Sequence, residues 1–268
     1  MRLSIAHHTT YRFTEPQARL VQMLRLKPGD SDQQAVVDWR IDVDCDARLR
    51  EGRDGFGNVV TMLYASGPLD GIEIAVRGEV LTQPAPDGRV SGTSETLPPA
   101  VFRRQTGLTE PGDALAGLCD ATGDARAFAL DLSAALGTRI ACVAEMPEAG
   151  LSARDAFARD AVTNRDMAHM LIGAARAAGF PARYVSGHHL PGRDEGSPAT
   201  AHAWVELFDG ATWFGVDPCH GALVDDSYVR VATGLDHSQA APVAGSRLGF
   251  GEEKLDVAVS VEPLGRED

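Results

Sequence analysis

Hydrophobic and polar positions alternate along the first third of the chain. In RLSIAHHTTYRF, Leu3, Ile5, His7, Thr9 and Tyr11 share one face. In VDWRIDVD, Val37, Trp39, Ile41 and Val43 alternate with Asp38, Arg40, Asp42 and Asp44. In GIEIAVRGEV, Ile72, Ile74 and Val76 alternate with Glu73, Ala75 and Arg77. A period of two marks antiparallel strands buried on one side. DGFGN, from Asp54 to Asn58, reads as a turn between such strands. The pattern predicts an N-terminal antiparallel β-sandwich-like domain over residues 1–83. QPAPDGRVSGTSETLPPA then loses all apolar periodicity, so residues 84–105 are expected to be a linker.

Past the linker the period lengthens. DARAFALDLSAALG stacks Phe128, Leu132 and Leu136 on one helical stripe, with Gly137 as its stop. MAHMLIGAARAAG places Met167, Met170, Leu171 and Ala174 on another, closed by Gly179 and Pro181. Thr163 or Asn164 is expected to cap it. Strands return in PARYVSG, AHAWVELF, TWFGVDP and KLDVAVSVEP. Residues 106–268 therefore read as an α+β core.

Composition narrows the classes. The 268 residues are 44% apolar and 24% charged, with a net charge of −13. That acidity argues against a nucleic-acid partner and against an anionic membrane surface. No apolar run of about 18 residues is present, so no membrane span is expected. The opening alternates and lacks a signal-peptide core, which points to the cytoplasm. Cys45, Cys119, Cys142 and Cys219 are widely spaced and form no CxxC pair, which suits reduced thiols better than a disulfide or a zinc site.

The candidate chemistry lies in AHAWVELFDGATWFGVDP. A two-residue Asp209-Gly210 turn would set His202 opposite Asp217, about 5 Å apart at Cβ. A four-residue turn would instead pair His202 with Cys219 and Trp204 with Asp217. In both registers His202, Asp217 and Cys219 share a face. A carboxylate beside an imidazole is the base-and-orienter half of a nucleophilic triad. The third member belongs at a helix N-terminus, where backbone N–H groups stabilise a thiolate and an oxyanion. Here that turn reads Thr163-Asn164-Arg165-Asp166.

These residues resemble the bacterial transglutaminase-like proteins, members of the transglutaminase-like cysteine protease superfamily that carry a family-specific N-terminal β domain. The likeness runs through RLSIAHHTTYRF and ARLREGRDGFGNVVT, then RDMAHMLIGAARAAGFPARYVSG, AHAWVELF and WFGVDPCHG, and on to VRVATGLDHSQAAPVAGS. It implies a papain-like transglutaminase core, with a helix bearing the nucleophile packed on a sheet bearing His and Asp. His202 and Asp217 fall on the catalytic His and Asp. The nucleophile motif Gly-Val-Cys-Gln-Asp-Phe-Ala-His falls on residues 162–169, so the Cys becomes Asn164, the Gly Val162 and the Gln Arg165. An amide is neither a thiolate nor a base. The expectation is therefore a pseudoenzyme without cofactor that binds a peptide amide or a partner protein. Asn164, His202 and Asp217 form its site, and Arg165, Asp166, Trp204 and Cys219 contact the ligand. Two alternatives stand beside it. Cys219 could replace the nucleophile, or His202 and Asp217 could join His188, His189 and His220 as metal ligands, against which stands the reading of His188 and His189 as exposed loop residues.

Overall fold

The structure is a computed structural model that describes residues 1–118, 123–144, 150–192 and 201–265. In chain order its elements are β1 (Arg2–Leu24), β2 (Gln34–Val43), β3 (Ala47–Arg53), β4 (Val59–Thr82), β5 (Arg89–Val90), α1 (Gly112–Ala116), α2 (Ala125–Gly137), β6 (Ala141–Val143), α3 (Ala153–Phe157), β7 (Ala161–Thr163), α4 (Asn164–Ala177), β8 (Ala182–His189), β9 (Ala201–Phe208), β10 (Trp213–Asp217), β11 (Ala222–Leu223), β12 (Tyr228–Gly234), α5 (His237–Ala240), β13 (Val243–Leu248) and β14 (Glu253–Pro263). No described helix is long and apolar enough to cross a membrane.

The N-terminal sheet is antiparallel and built on two long strands, β1 and β4. Their pairing shifts register between Arg12 and Arg19, which breaks each strand into two halves. Gly67 sits at that break, where a Cβ would come within 1.9 Å of the Gln17 carbonyl. Tyr11, Ile72, Ile74 and Val76 from one half close on Leu20, Leu24, Leu63 and Ala65 from the other. The single sheet thus packs on itself as a sandwich. The alternation read in β1 holds, with Leu3, Ile5, His7, Thr9 and Tyr11 all buried. In β2 it fails at Val37. A bulge between Val36 and Asp38 turns Val37 outward, 52% exposed, while Trp39, Ile41 and Val43 stay against the core.

Two features cross the boundaries drawn from chain order. β13 and β14, at the end of the chain, pair with β1 and so complete the N-terminal sheet rather than the core. Within the expected linker, β5 pairs with β10 at the edge of the core sheet. Glu95 from the same segment joins a buried ion cluster, 2.6 Å from Arg230, while Glu206 lies 2.6 Å from Arg183 and 2.7 Å from Arg230. Burial alone would raise the Glu95 pKa, but the two arginines hold it near 2. A segment without apolar periodicity can still be fixed by charge.

The DGFGN turn is a clamp between the two sheets. Asp54 Oδ1 accepts from the Phe56 and Asn58 backbones and orders the turn. Asn58 then donates to Thr233 O at 2.8 Å and accepts from Thr233 N at 2.8 Å. Asn58→Ala strips both partners from a buried peptide group. It is expected to cost about 1–3 kcal/mol, read as a lower midpoint in thermal denaturation with little change in far-UV spectrum.

The core sheet runs β11-β10-β9-β8-β12, with α4 against it. Period two divides its residues by face. Ala203, Val205 and Leu207 with Phe214 and Val216 join the apolar cluster around Met167, Met170 and Leu171 of α4. His202, Trp204, Glu206, Trp213 and Asp217 alternate with them. Gly173 lets α4 approach the preceding segment closely, since a Cβ there would lie 2.1 Å from the Thr109 carbonyl.

Candidate active site

Residue 164 opens α4. Thr163 is the cap: its hydroxyl accepts from Asp166 N, and the Asp166 carboxylate in turn accepts from Thr163 N. Asn164 is therefore the first helical residue, not the cap, which frees its side chain for the cleft. β7 delivers the chain to this point, pairing with β6 so that Cys142 lies beside Val162. Val162 is fully buried in the core cluster.

The β9–β10 hairpin uses the longer turn. Trp213 pairs with Phe208 and Val216 with Val205, so residues 209–212 form the loop. Asp209 causes this. Its Oδ1 accepts from both Ala211 N (2.8 Å) and Thr212 N (2.7 Å), an arrangement a two-residue turn does not allow. The register continues to set Asp217 opposite Trp204, diagonal to His202. The two side chains still meet, with His202 Nε2 2.5 Å from Asp217 Oδ2.

Asp217 is the hub of the site. Oδ2 also accepts from His220 Nδ1 at 2.7 Å and from the Tyr228 hydroxyl at 2.9 Å, while Oδ1 accepts from the Cys219 and His220 backbones. Burial alone would raise its pKa, but hydrogen bonds and charge from His202 and His220 hold the carboxyl far below the usual range. An ionised acceptor fixes the tautomer of its donor. His202 carries its proton on Nε2 and turns the Nδ1 lone pair toward α4. There Asn164 Nδ2 donates to it at 3.3 Å and to Ala201 O at 3.4 Å.

The residues expected to contact ligand are placed differently. Asp166 is fully buried and belongs to the helix cap. Arg165 lies 3.5 Å from Asp166, and its charge lowers the pKa of His169 and His237 after burial has done most. Trp204 is 2% exposed and packs behind the His202 ring and edge-on to Tyr228, so it supports the imidazole rather than lining the cleft.

Cys219 is bonded to Cys142, Cα–Cα 5.6 Å, which corrects the expectation of reduced, unpaired cysteines. β6 and the turn after β10 bring together two residues 77 apart, a proximity that spacing alone does not reveal. Cys45 is a free thiol, and Cys119 lies outside the described residues.

The histidine pair at the end of β8 divides. His188 and His189 are strand residues, not loop residues. His188 is buried edge-on to His7 of β1 and takes no part in the site. His189 stacks on Tyr228 at 4.4 Å and lies 5.2 Å from the His202 ring and 4.9 Å from that of His220. Tyr228 had no sequence signal; its role follows from being paired with His189 across β8 and β12.

Residues 3–81 match the bacterial transglutaminase-like N-terminal region, and residues 116–218 match the transglutaminase-like superfamily core. An uncharacterized protein of Mycobacterium leprae is 26% identical over 98% of this chain and 99% of its own length. One from Mycobacterium bovis is 27% identical over 98% of this chain and 93% of its own. A crystal structure of a proposed cysteine protease from Cytophaga hutchinsonii superposes with a TM-score of 0.76 at 19% identity, covering 100% of this chain and 92% of that one, and so shares the fold. Over residues 116–218 the chain is thus similar to the transglutaminase-like superfamily, and over residues 3–81 to the bacterial transglutaminase-like N-terminal region.

Proposed function

We propose that this protein has kept the transglutaminase-like cleft, has lost cysteine-dependent acyl transfer, and acts by binding an amide-bearing peptide or a partner protein. The observation that carries this reading is the Asn164 amide hydrogen-bonded to His202 Nδ1. In this reading His202 and Asp217 hold the positions of the family's catalytic His and Asp, oriented as a base requires, and residue 164 offers them no acidic proton. The N-terminal turn of α4 retains backbone donors that suit a carbonyl oxygen, and the Asn164 side chain can both donate to and accept from a ligand amide.

Substitution of the nucleophile by Cys219 is disfavoured because a bridged sulfur is no thiolate. The same bridge favours an oxidising compartment over the cytoplasm expected from cysteine spacing.

Labelling of the unreduced protein with a thiol-reactive probe, followed by peptide mapping, tests the reading. Cys45 is expected to react slowly, since burial and the charges of Asp44 and Asp46 raise its pKa. A rapid phase at neutral pH that Cys219→Ser abolishes would overturn the loss of a nucleophile.

A further inference from the structure

Three imidazoles from three separate elements meet beside Asp217: His189 ends β8, His202 lies near the start of β9, and His220 follows β10. We infer that His189, His202 and His220, charge-balanced by Asp217, form a binding site for a divalent transition-metal ion, with zinc the ion their chemistry suits best.

Spacing is the first support. One nitrogen of each ring lies within 4.8 Å of a nitrogen of the other two. The ring centroids stand 4.9, 5.2 and 5.6 Å apart. Three imidazoles sharing a tetrahedral zinc at about 2.1 Å have centroids roughly 5 Å apart and ligating nitrogens roughly 3.4 Å apart. The rings already hold the required separation. The nitrogens, within 4.8 Å of one another, would close to that spacing on binding.

The scaffold is the second. The β8–β9 ladder pairs Gly187 with His202, and the β8–β12 ladder pairs His189 with Tyr228. Gly187 permits this close packing, since a Cβ there would lie 2.1 Å from Val229 O and 2.6 Å from the Trp204 ring. Trp204 backs His202 and Tyr228 stacks on His189. Two of the three rings are therefore held from behind.

Asp217 is the third. It is fully buried and contacts His202 Nε2 and His220 Nδ1 through the same oxygen. A carboxylate holding ligand imidazoles in one tautomer is the usual outer partner of a histidine-bound metal. Its charge also offsets that of a cation. Imidazole nitrogen with a nearby carboxylate suits zinc and similar borderline ions, and three protein ligands leave a fourth position open for water or a ligand oxygen. The adjacent histidine, His188, does not share this role, because it is buried against His7.

With Asp217 holding the Nε2 proton of His202, the ligating atom there is Nδ1, so a bound metal displaces the Asn164 donor from it. The inference shares that cleft but does not depend on the absence of a thiol, so each can fail alone. The full chain, tag-free and stripped with chelator, is titrated with zinc chloride by calorimetry, and with cobalt chloride by visible absorption. One zinc per chain with micromolar or tighter affinity is expected, with cobalt bands of four-coordinate intensity. His189→Ala and His220→Ala are expected to weaken zinc at least 10-fold and to remove the cobalt bands. His8→Ala, on the exposed face of β1, is expected to change neither. His220 is 33% exposed, so His220→Ala is expected to fold, which far-UV dichroism checks. Absence of saturable zinc binding to the wild-type chain would overturn the site. So would binding that survives both substitutions unchanged.

Discussion

Lowering the pH from 8 to 5 is expected to remove several kcal/mol of stability. His7 and His188 meet edge-on across the two sheets, with ring centroids 5.7 Å apart. Burial, then the charge of His8, lowers the His7 pKa to about 4; burial, then His7, lowers that of His188 to about 3. His169, buried beneath α4, is pushed well down by burial and by the nearby positive groups His237, Arg165 and Arg176. In the unfolded chain each titrates near 6.5. Between pH 6.5 and about 4 the unfolded state therefore binds protons that the folded state refuses, so the free energy of unfolding falls as pH falls. His7 and His188 each forfeit about 2 kcal/mol by pH 5, and His169 acts in the same direction. Against a typical domain stability of about 5–15 kcal/mol this is a large share. Asp217 acts in a lower window. Its depressed pKa stabilises the fold above the ordinary carboxylate range, and that contribution is lost only below about pH 4. Urea denaturation at several pH values reads the effect directly. The midpoint is expected to drop steeply below pH 6.5, and His7→Asn with His188→Gln to flatten the slope. A midpoint constant from pH 7 to pH 5 would contradict it.

Asn164→Cys is expected to install a reactive thiolate in one step. The site already contains each element that depresses a thiol pKa: the first turn of α4, an imidazole whose Nδ1 faces residue 164, and a carboxylate that stabilises the imidazolium. Such surroundings lower a cysteine pKa from about 8.5 to below about 7. Alkylation by iodoacetamide at pH 6 should therefore be at least about 100-fold faster than at Cys45, whose pKa is raised. The pH profile should be flat through neutrality. Adding Asp217→Asn should return the profile toward an ordinary thiol, because the imidazolium loses its counter-charge. An unreactive thiol at residue 164 would mean that the cleft is not organised for a nucleophile at all.

Much of this site was legible in residue order. The helix entry at 164, the His202–Asp217 pair and their common face follow from periodicity and from the resemblance of the motifs. The exact hairpin register did not, because Asp209-Gly210 is equally compatible with a short turn until the side-chain bonds of Asp209 are seen. The Cys142–Cys219 bridge and the approach of His189 to His220 depend on strands far apart in sequence. The return of β14 to β1 was hidden for a similar reason: KLDVAVSVEP reads as a strand, but period two carries no information about which sheet it joins. Burial also reassigned polar residues. Asp166 looks like a ligand contact in the motif, yet its carboxylate is used by Thr163.

Acyl trapping tests the loss of acyl transfer most directly. Wild type and Asn164→Cys are incubated with an activated glutamine ester and read by intact mass with peptide mapping. The wild-type chain is expected to carry no adduct, and the variant a single acyl group at position 164. An acyl group on the wild-type chain, at Cys219 or elsewhere in the cleft, would contradict the loss of acyl transfer.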